Sequence, residues 1–267
     1  MYRSLLVPVK SPAEVEPLIR FAASLLDADG EIRMLHVIPT TTMPAVTREW
    51  RASVNLVVPA HEVAAVLDVR VEPEVRASVD VPGEILESAE AHQADGIVMG
   101  LGGDRRSRNP FVGHTASGIL HHAAADVLIL NRLALAGTKV PRILVPTLRG
   151  PTPPRILQLA EELSLRRGGI PVVTIDLSSR AGDGAGEENR TARGIPTVHR
   201  HPIVSASLLS RRRHHAQLIL QSAARERYGL LLVGEEHAPT EGPPMLTRPF
   251  LEELFREAPC PVVAVRS

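Results

Sequence analysis

Cysteine is almost absent from this 267-residue sequence, and aromatic side chains are scarce. The single cysteine, Cys260, excludes an internal disulfide and favours a reducing compartment, so we expect a cytoplasmic protein. Aromatic residues make up 3% of the chain, whereas hydrophobic residues make up 44%. A core of ordinary size must therefore be built from leucine, valine, isoleucine and alanine.

No charge of one sign predominates, and the sequence has no long hydrophobic run. Its 30 basic residues balance 30 acidic ones, which argues against nucleic acid or an anionic membrane as the main partner. No apolar run approaches the ~20 residues that a membrane-spanning helix needs. The N-terminal segment SLLVPV is too short for a signal peptide. We therefore expect a protein that does not insert into a membrane.

Two parts of the sequence resemble each other. Ser4–Pro12 (SLLVPVKSP) is similar to Arg142–Gly150 (RILVPTLRG), which lies 138 residues later. Ala125–Arg132 (ADVLILNR) is similar to Cys260–Ser267 (CPVVAVRS), which lies 135 residues later. An internal repeat of this length predicts two domains of similar fold.

Each half alternates apolar runs with helical patterns. In the first half, Leu5–Val9 and Ile32–Ile38 are apolar runs typical of buried strands, and the segment between them repeats apolar residues at helical spacing. Such alternation predicts a parallel sheet covered by helices on both faces. We assign residues 1–132 to the first domain and 141–267 to the second, with a short linker between them.

Three glycines follow the predicted fourth strand of the first half: Gly100, Gly103 and Gly113. Glycine at a strand end permits positive φ and a close backbone approach. A glycine directly before a helix leaves the first N–H groups of that helix open to an anion. The spacing fits a polyphosphate clamp, and it also fits a loop that only turns the chain. It matches neither the P-loop nor the dinucleotide fingerprint.

The motif Gly100-x2-Gly103-x9-Gly113 resembles the nucleotide loop of the universal stress protein family. LLVPV, MLHVIP, ADGIVMG and HHAAADVLILNR resemble further landmarks of that family, and the second half shares RILVPT, GLLLVG and REAPCPVVAVRS. The whole chain is similar to a tandem universal stress protein. The resemblance implies two doubly wound α/β domains of the adenine nucleotide alpha-hydrolase-like type, each with a parallel sheet of strand order 3-2-1-4-5.

The resemblance also implies an adenine-nucleotide site in the first half, which would hold ATP or ADP and no metal beyond the Mg²⁺ that accompanies a nucleotide. The expected site residues are Pro8, Lys10, Ile38, Met99, Gly100, Gly103, Gly113, His114 and Thr115. Two of them depart from the family pattern. Lys10 stands where ATP-binding relatives have an aspartate, and His114 stands where they have serine or threonine.

The second half departs further from that pattern. Two carboxylates follow Gly234, where phosphate oxygens would sit, and Arg248 stands where the first half has Gly113. We expect a degenerate copy, so that the chain binds at most one nucleotide. The histidine pairs, such as His121–His122, have no recognisable ligand spacing, and no nucleophile–base pair can be assembled. The sequence therefore predicts neither a metal site nor an enzyme, and it leaves a slow hydrolysis of ATP open.

Two functions remain open at this point, beside a third that the resemblance alone suggests, a regulator that associates with a transporter as some members of the family do. The chain is a regulatory stress-response module that binds an adenine nucleotide, or it is a nucleotide-free module that recruits a partner protein not identified by the sequence. Val127–Leu130 and Val262–Val265 end the two halves. In the family the last strand is the sheet edge used for dimerisation, so we expect the halves to pair through these edges and the chain to form a homodimer.

Overall fold

The computed structural model describes residues 1–40, 50, 53–101, 114–131, 141–147, 152–177, 208–235 and 246–266. The chain divides into two compact units. The described residues up to 131 belong to the first unit and those from 141 onward belong to the second. Among the described helices, none is both long and apolar enough to cross a membrane.

The first unit alternates strands and helices. Its elements are β1 (Tyr2–Pro8), α1 (Pro12–Ala23), β2 (Leu26–Pro39), α2 (Val54–Leu67), β3 (Arg70–Ser78), α3 (Val81–Ala91), β4 (Gly96–Gly100), α4 (His114–His122) and β5 (Asp126–Leu130). The strands are parallel and lie in the order β3-β2-β1-β4-β5. The predicted parallel sheet and its strand order 3-2-1-4-5 are confirmed for this unit.

The core of the first unit forms where helices cover the sheet. In β1, Leu5, Leu6 and Val7 are fully buried, as expected of a central parallel strand with both faces covered. Apolar residues of α1 recur at intervals of three and four, which places them on one face of the helix. That face is buried: Val15, Leu18, Ile19, Phe21 and Ala22. The apolar runs of the sequence thus correspond to the central strands and the helix faces that pack on them.

Side chains close the amino edge of this sheet. The Asp95 carboxylate accepts a hydrogen bond from the Ser4 backbone N–H at 3.0 Å, and the Tyr2 hydroxyl donates to Asp126 Oδ2 at 2.8 Å. A β-carbon at Gly96 would lie 2.9 Å from the Tyr2 ring, so this close approach requires glycine. Ligands of such sheets bind at the opposite edge, beyond the carboxyl ends of the strands.

Two elements of the first unit differ from the sequence prediction. The strand β2 begins at Leu26, before the apolar run Ile32–Ile38, because Tyr2 of β1 pairs with Leu26 beyond a register shift that separates this pair from Ser4 and Glu31. The helix α2 was not predicted. It contains Pro59 and leaves apolar side chains such as Val58 on its exposed side, so its apolar residues do not mark one face.

The second unit repeats part of this architecture. Its elements are β6 (Ile143–Thr147), α5 (Pro154–Leu165), β7 (Val172–Asp176), α6 (Leu208–Arg225), β8 (Leu230–Glu235), α7 (Arg248–Glu257) and β9 (Val262–Arg266). The strands are parallel and lie in the order β7-β6-β8-β9. This corresponds to the order β2-β1-β4-β5 of the first unit. Residues 178–207, between β7 and α6, lie outside the described part.

Candidate functional site

The strand order of the first unit reverses at β1. This strand pairs with β2 on one side and with β4 on the other, so that Leu5 lies beside both Ile32 and Gly96. In doubly wound sheets, ligands bind at such a reversal, beyond the carboxyl ends of the two strands. The candidate site is therefore the edge at which β1 ends with Pro8 and β4 ends with Gly100.

Seven of the nine predicted site residues are described, and they lie at strand ends or at the start of α4. They are Pro8, Lys10, Ile38, Met99, Gly100, His114 and Thr115. The helix α4 connects the carboxyl end of β4 to the amino end of β5, so its first residues lie on the candidate-site side of the sheet. Gly103 and Gly113 lie outside the described residues.

The apolar members of the predicted site are buried beneath this edge. Ile38 is fully buried and Met99 is 6% exposed. Both side chains therefore belong to the core and present almost no surface to a ligand. Lys10 and His114 are exposed, whereas Pro8 and Thr115 are partly exposed. The accessible side chains of the site are therefore mostly polar or cationic.

Lys10 follows β1 in the turn that leads into α1. Its backbone N–H donates to Glu14 Oε2 at 2.8 Å, which ties the turn to the first turn of the helix. Ser11 is the N-cap residue of α1, but its side chain makes no capping hydrogen bond. The capping interaction thus comes from Glu14 and holds the Lys10 backbone in place. Lys10 itself is an exposed residue.

His36 fixes the end of β1, a role that the family motif does not indicate. Its Nδ1–H donates to the Val9 carbonyl at 2.9 Å, and the Val9 N–H donates to the Leu35 carbonyl at 2.8 Å. Val9 is 5% exposed and directly precedes Lys10. His36 therefore helps to position Lys10. The signal in the sequence is a single polar residue within the apolar run MLHVIP.

A charged cluster joins β3 to α3. Arg76 donates to Glu74 Oε1 at 2.6 Å and to Glu84 Oε1 at 2.8 Å. The hydrogen bond to Glu84, followed by that to Glu74, raises the pKa of Arg76 above its ordinary value. His92 Nε2 lies 3.4 Å from Glu74 Oε2. Arg76 thus bonds to a carboxylate of β3 and to one of α3, so the cluster fastens the helix to the sheet.

A cavity of about 330 Å³ lies at the amino side of the second unit, lined in part by Tyr228 and Cys260. The Tyr228 hydroxyl donates to Glu226 Oε2 at 2.8 Å, and burial, with a further contribution from Glu226, raises the pKa of Tyr228. Cys260 is buried. The raised pKa keeps the Tyr228 hydroxyl protonated, so Tyr228 is not an activated base. Within the described residues, no group of histidine, cysteine or acidic side chains is arranged to hold a metal ion.

Comparison with protein families gives a match for the unit that carries the candidate site. Residues 1–131 match the universal stress protein family. This segment contains all nine strands and helices of the first unit, and it ends before β6. Among the curated proteins, none matches the chain.

Solved structures share the fold across nearly the whole chain. A universal stress protein from Archaeoglobus fulgidus DSM 4304 is 17% identical with a TM-score of 0.68, and the match covers 98% of this chain and 95% of that one. A functionally unknown protein from Pseudomonas aeruginosa PAO1 is 10% identical with a TM-score of 0.61, covering 99% and 92%. The cytoplasmic domain of a prokaryotic cation chloride cotransporter is 11% identical with a TM-score of 0.54, covering 99% and 95%. At these identities the likeness establishes the fold alone.

One glycine of the second unit has a counterpart in the first unit and is required by packing. Gly234 in β8 corresponds to Gly100 in β4. The two glycines lie opposite the repeat-related residues Leu130 and Val265 in the strand registers. A β-carbon at Gly234 would lie 2.3 Å from Ile156 Cδ1, so α5 packs directly against this backbone. Gly234 is therefore explained by the core of the second unit without a ligand.

Gly234→Ala is expected to destabilise the protein by about 1–3 kcal/mol, because the added methyl group displaces Ile156 from a packed core. Urea unfolding followed by circular dichroism measures the loss. Gly118→Ala is the matched control, since a β-carbon at this position of α4 would make an ordinary 3.4 Å contact with Pro82. Alanine also favours a helix more than glycine does. Equal losses in the two variants would contradict the packing role of Gly234.

Proposed function

We propose that the first unit binds one adenine nucleotide, ATP or ADP, and that the chain acts as a regulatory stress-response module rather than as an enzyme. The match of residues 1–131 to the universal stress protein family carries the proposal. The position of Lys10, Gly100 and His114 at the reversal of strand order supports it, because ligands of this sheet type bind there.

In this proposal the nucleoside lies near the ends of β1 and β2, and the phosphates lie between the end of β4 and the start of α4. Backbone N–H groups and the dipole at the start of a helix favour a phosphate. Mg²⁺ enters with the phosphates, since the nine proposed site residues include no carboxylate to hold it. The second unit is proposed to be a degenerate copy that binds no nucleotide.

Lys10 gives this site a preference for phosphate over nucleoside. An aspartate can accept hydrogen bonds from ribose or adenine, whereas a lysine can only donate. The Val9 backbone that precedes Lys10 is held by His36 and Leu35, so the ammonium group projects from a well-fixed position. An aspartate at this position would add binding energy through hydrogen bonds to the nucleoside. Lys10 instead adds binding energy through its attraction for the phosphates.

Lys10→Ala is expected to weaken ATP binding by about 5-fold and to leave adenosine binding unchanged, since an exposed ion pair contributes up to ~1 kcal/mol. The loss should shrink as salt is added. Lys10→Asp should strengthen adenosine binding by restoring an acceptor. Calorimetric titration with both ligands measures these changes, and Arg20→Ala removes an exposed cation of α1 as the control. Equal effects on ATP and adenosine would contradict the assignment of Lys10 to phosphate.

A nucleotide-free interaction module is the competing function, and the burial of Ile38 and Met99 favours it. Both side chains would have to become accessible before a nucleoside could pack against them. Mass spectrometry of the supernatant from denatured, freshly purified protein separates the two functions. Released ATP or ADP in proportion to the protein supports the nucleotide-binding module. No nucleotide, even after incubation with excess ATP and rapid desalting, supports the competing function.

The cellular location and the oligomeric state of the protein are also proposals. A cytoplasmic location is supported by the single, buried Cys260, which needs no oxidising compartment. A homodimer is supported by the general prevalence of twofold assemblies among soluble oligomers. In either function the regulatory output would require a protein partner, whose surface neither the sequence nor the fold identifies.

A further inference from the structure

Glu235 is a buried carboxylate at the carboxyl edge of the second unit. It ends β8 directly after Gly234 and is 8% exposed. The position that follows the equivalent glycine in the first unit is Leu101, an uncharged residue. Glu235 therefore places a negative charge at the edge where the first unit is proposed to hold a phosphate.

The carboxylate of Glu235 holds the backbone at the start of α7. Its Oε2 accepts a hydrogen bond from the Leu246 N–H at 3.0 Å. Leu246 is 1% exposed and directly precedes Thr247, the N-cap residue of α7. Because α7 is the counterpart of α4 in the repeat, this bond lies on the side where an anion would meet the helix start.

A buried cation accompanies Glu235 in the adjacent strand. Arg266 lies opposite Glu235 in the register of β8 and β9 and is 7% exposed. Neighbouring residues in a parallel register direct their side chains to the same face of the sheet. Asn131, the counterpart of Arg266 in the repeat, carries no charge. The second unit thus has a buried acidic side chain and a buried cationic side chain at two positions where the first unit has uncharged residues.

We propose that the Glu235 carboxylate is a built-in substitute for a nucleotide phosphate and closes the second unit to nucleotides. A phosphate at this position would meet a fixed negative charge. To displace the Glu235 carboxylate, the phosphate would have to replace its hydrogen bond to a buried backbone N–H. This inference deepens the proposed function and rests on it, because it explains why the second unit binds no nucleotide and takes the position of the phosphate from the site proposed for the first unit. Its test follows inorganic phosphate at Glu235, so its failure is distinguishable from a failure of nucleotide binding in the first unit.

Glu235→Ala tests the proposal by anion rescue. The variant loses the acceptor for the Leu246 N–H and is expected to unfold at a lower temperature than the parent. Inorganic phosphate should then bind the vacated position and raise the Tm of Glu235→Ala by about 2–4 °C more than that of the parent. Phosphate that binds to the first unit raises both Tm values equally, so the difference isolates the second unit.

Two variants serve as controls. Glu235→Gln keeps an acceptor oxygen and should show no rescue by phosphate. Glu252→Ala removes a carboxylate of α7 that pairs with Arg248 on the helix surface, and it should respond to phosphate as the parent does. Hydrogen exchange of the Leu246 amide should be slow in the parent and in Glu235→Gln, and fast in Glu235→Ala.

The proposal fails if phosphate stabilises Glu235→Ala no more than Glu252→Ala, or if the Leu246 amide exchanges equally slowly in the parent and in Glu235→Ala. If Glu235→Ala does not fold, Glu235→Asp takes its place, since the shorter side chain draws the carboxylate away from Leu246. Faster exchange of the Leu246 amide together with phosphate rescue in Glu235→Asp supports the proposal. Parent-like exchange in that variant overturns it.

Discussion

Gly113→Asp is expected to abolish nucleotide binding, with a loss of ATP affinity of roughly 100-fold or more. Gly113 directly precedes α4 in the sequence, and it is the last glycine of the proposed nucleotide site. An aspartate there competes with phosphate for the first N–H groups of the helix. Two unit charges about 4 Å apart near a protein surface repel by ~4 kcal/mol.

The fold should survive Gly113→Asp, because aspartate is a favourable residue at a helix start. An unchanged Tm would therefore accompany the loss of binding, and calorimetric titration with ATP measures that loss. Gly113→Ala adds a methyl group without a charge and should lose much less affinity. If Gly113→Asp binds ATP as the parent does, the ligand lies elsewhere.

Leu128→Pro is expected to destabilise the first unit by about 4 kcal/mol or more. Leu128 is fully buried in β5 and pairs with Val98 of β4. The Asp126 N–H donates to the Asp95 carbonyl at 3.1 Å, and hydrogen bonding alternates along a parallel strand, so the Leu128 N–H also faces β4. Proline removes that donor and leaves a cavity in the core.

Such a loss is a large part of the stability of an ordinary domain, so Leu128→Pro should also lose nucleotide binding at physiological temperature. Differential scanning calorimetry measures the change in Tm and enthalpy. Leu128→Val keeps the N–H group and is expected to cost only about 1 kcal/mol. A Tm for Leu128→Pro equal to that of Leu128→Val would contradict the proposed role of the β4–β5 pairing.

The central strands could be predicted from the sequence because their buried parts are continuous runs of mostly aliphatic residues. The run Leu5–Val9 covers four of the seven residues of β1, and Ile32–Ile38 covers seven of the fourteen residues of β2. The helix α2 could not be predicted, since exposed valines such as Val58 remove the contrast between its two faces. The early start of β2 depends on a partner residue in β1, and such pairing leaves no local pattern.

The position of the candidate site could be predicted because ligands of doubly wound sheets bind at a fixed edge. The contacts that shape this edge could not. His36 bonds to Val9, which lies 27 residues away in the chain, and Glu235 bonds to Leu246, which lies 11 residues away. Carboxylates after Gly234 were expected to exclude a phosphate, but the sequence gives no sign that one of them holds the start of α7.

The proposed function requires that the chain bind one adenine nucleotide, in its first unit, and none in its second. Isothermal titration calorimetry of the intact chain with ATP, after removal of any copurified nucleotide, tests this claim most directly. We expect a stoichiometry of one nucleotide per chain in the parent and in Glu235→Gln, and no binding in Gly113→Asp. Two equivalent sites per chain, no binding in the parent, or one remaining site in Gly113→Asp would contradict it.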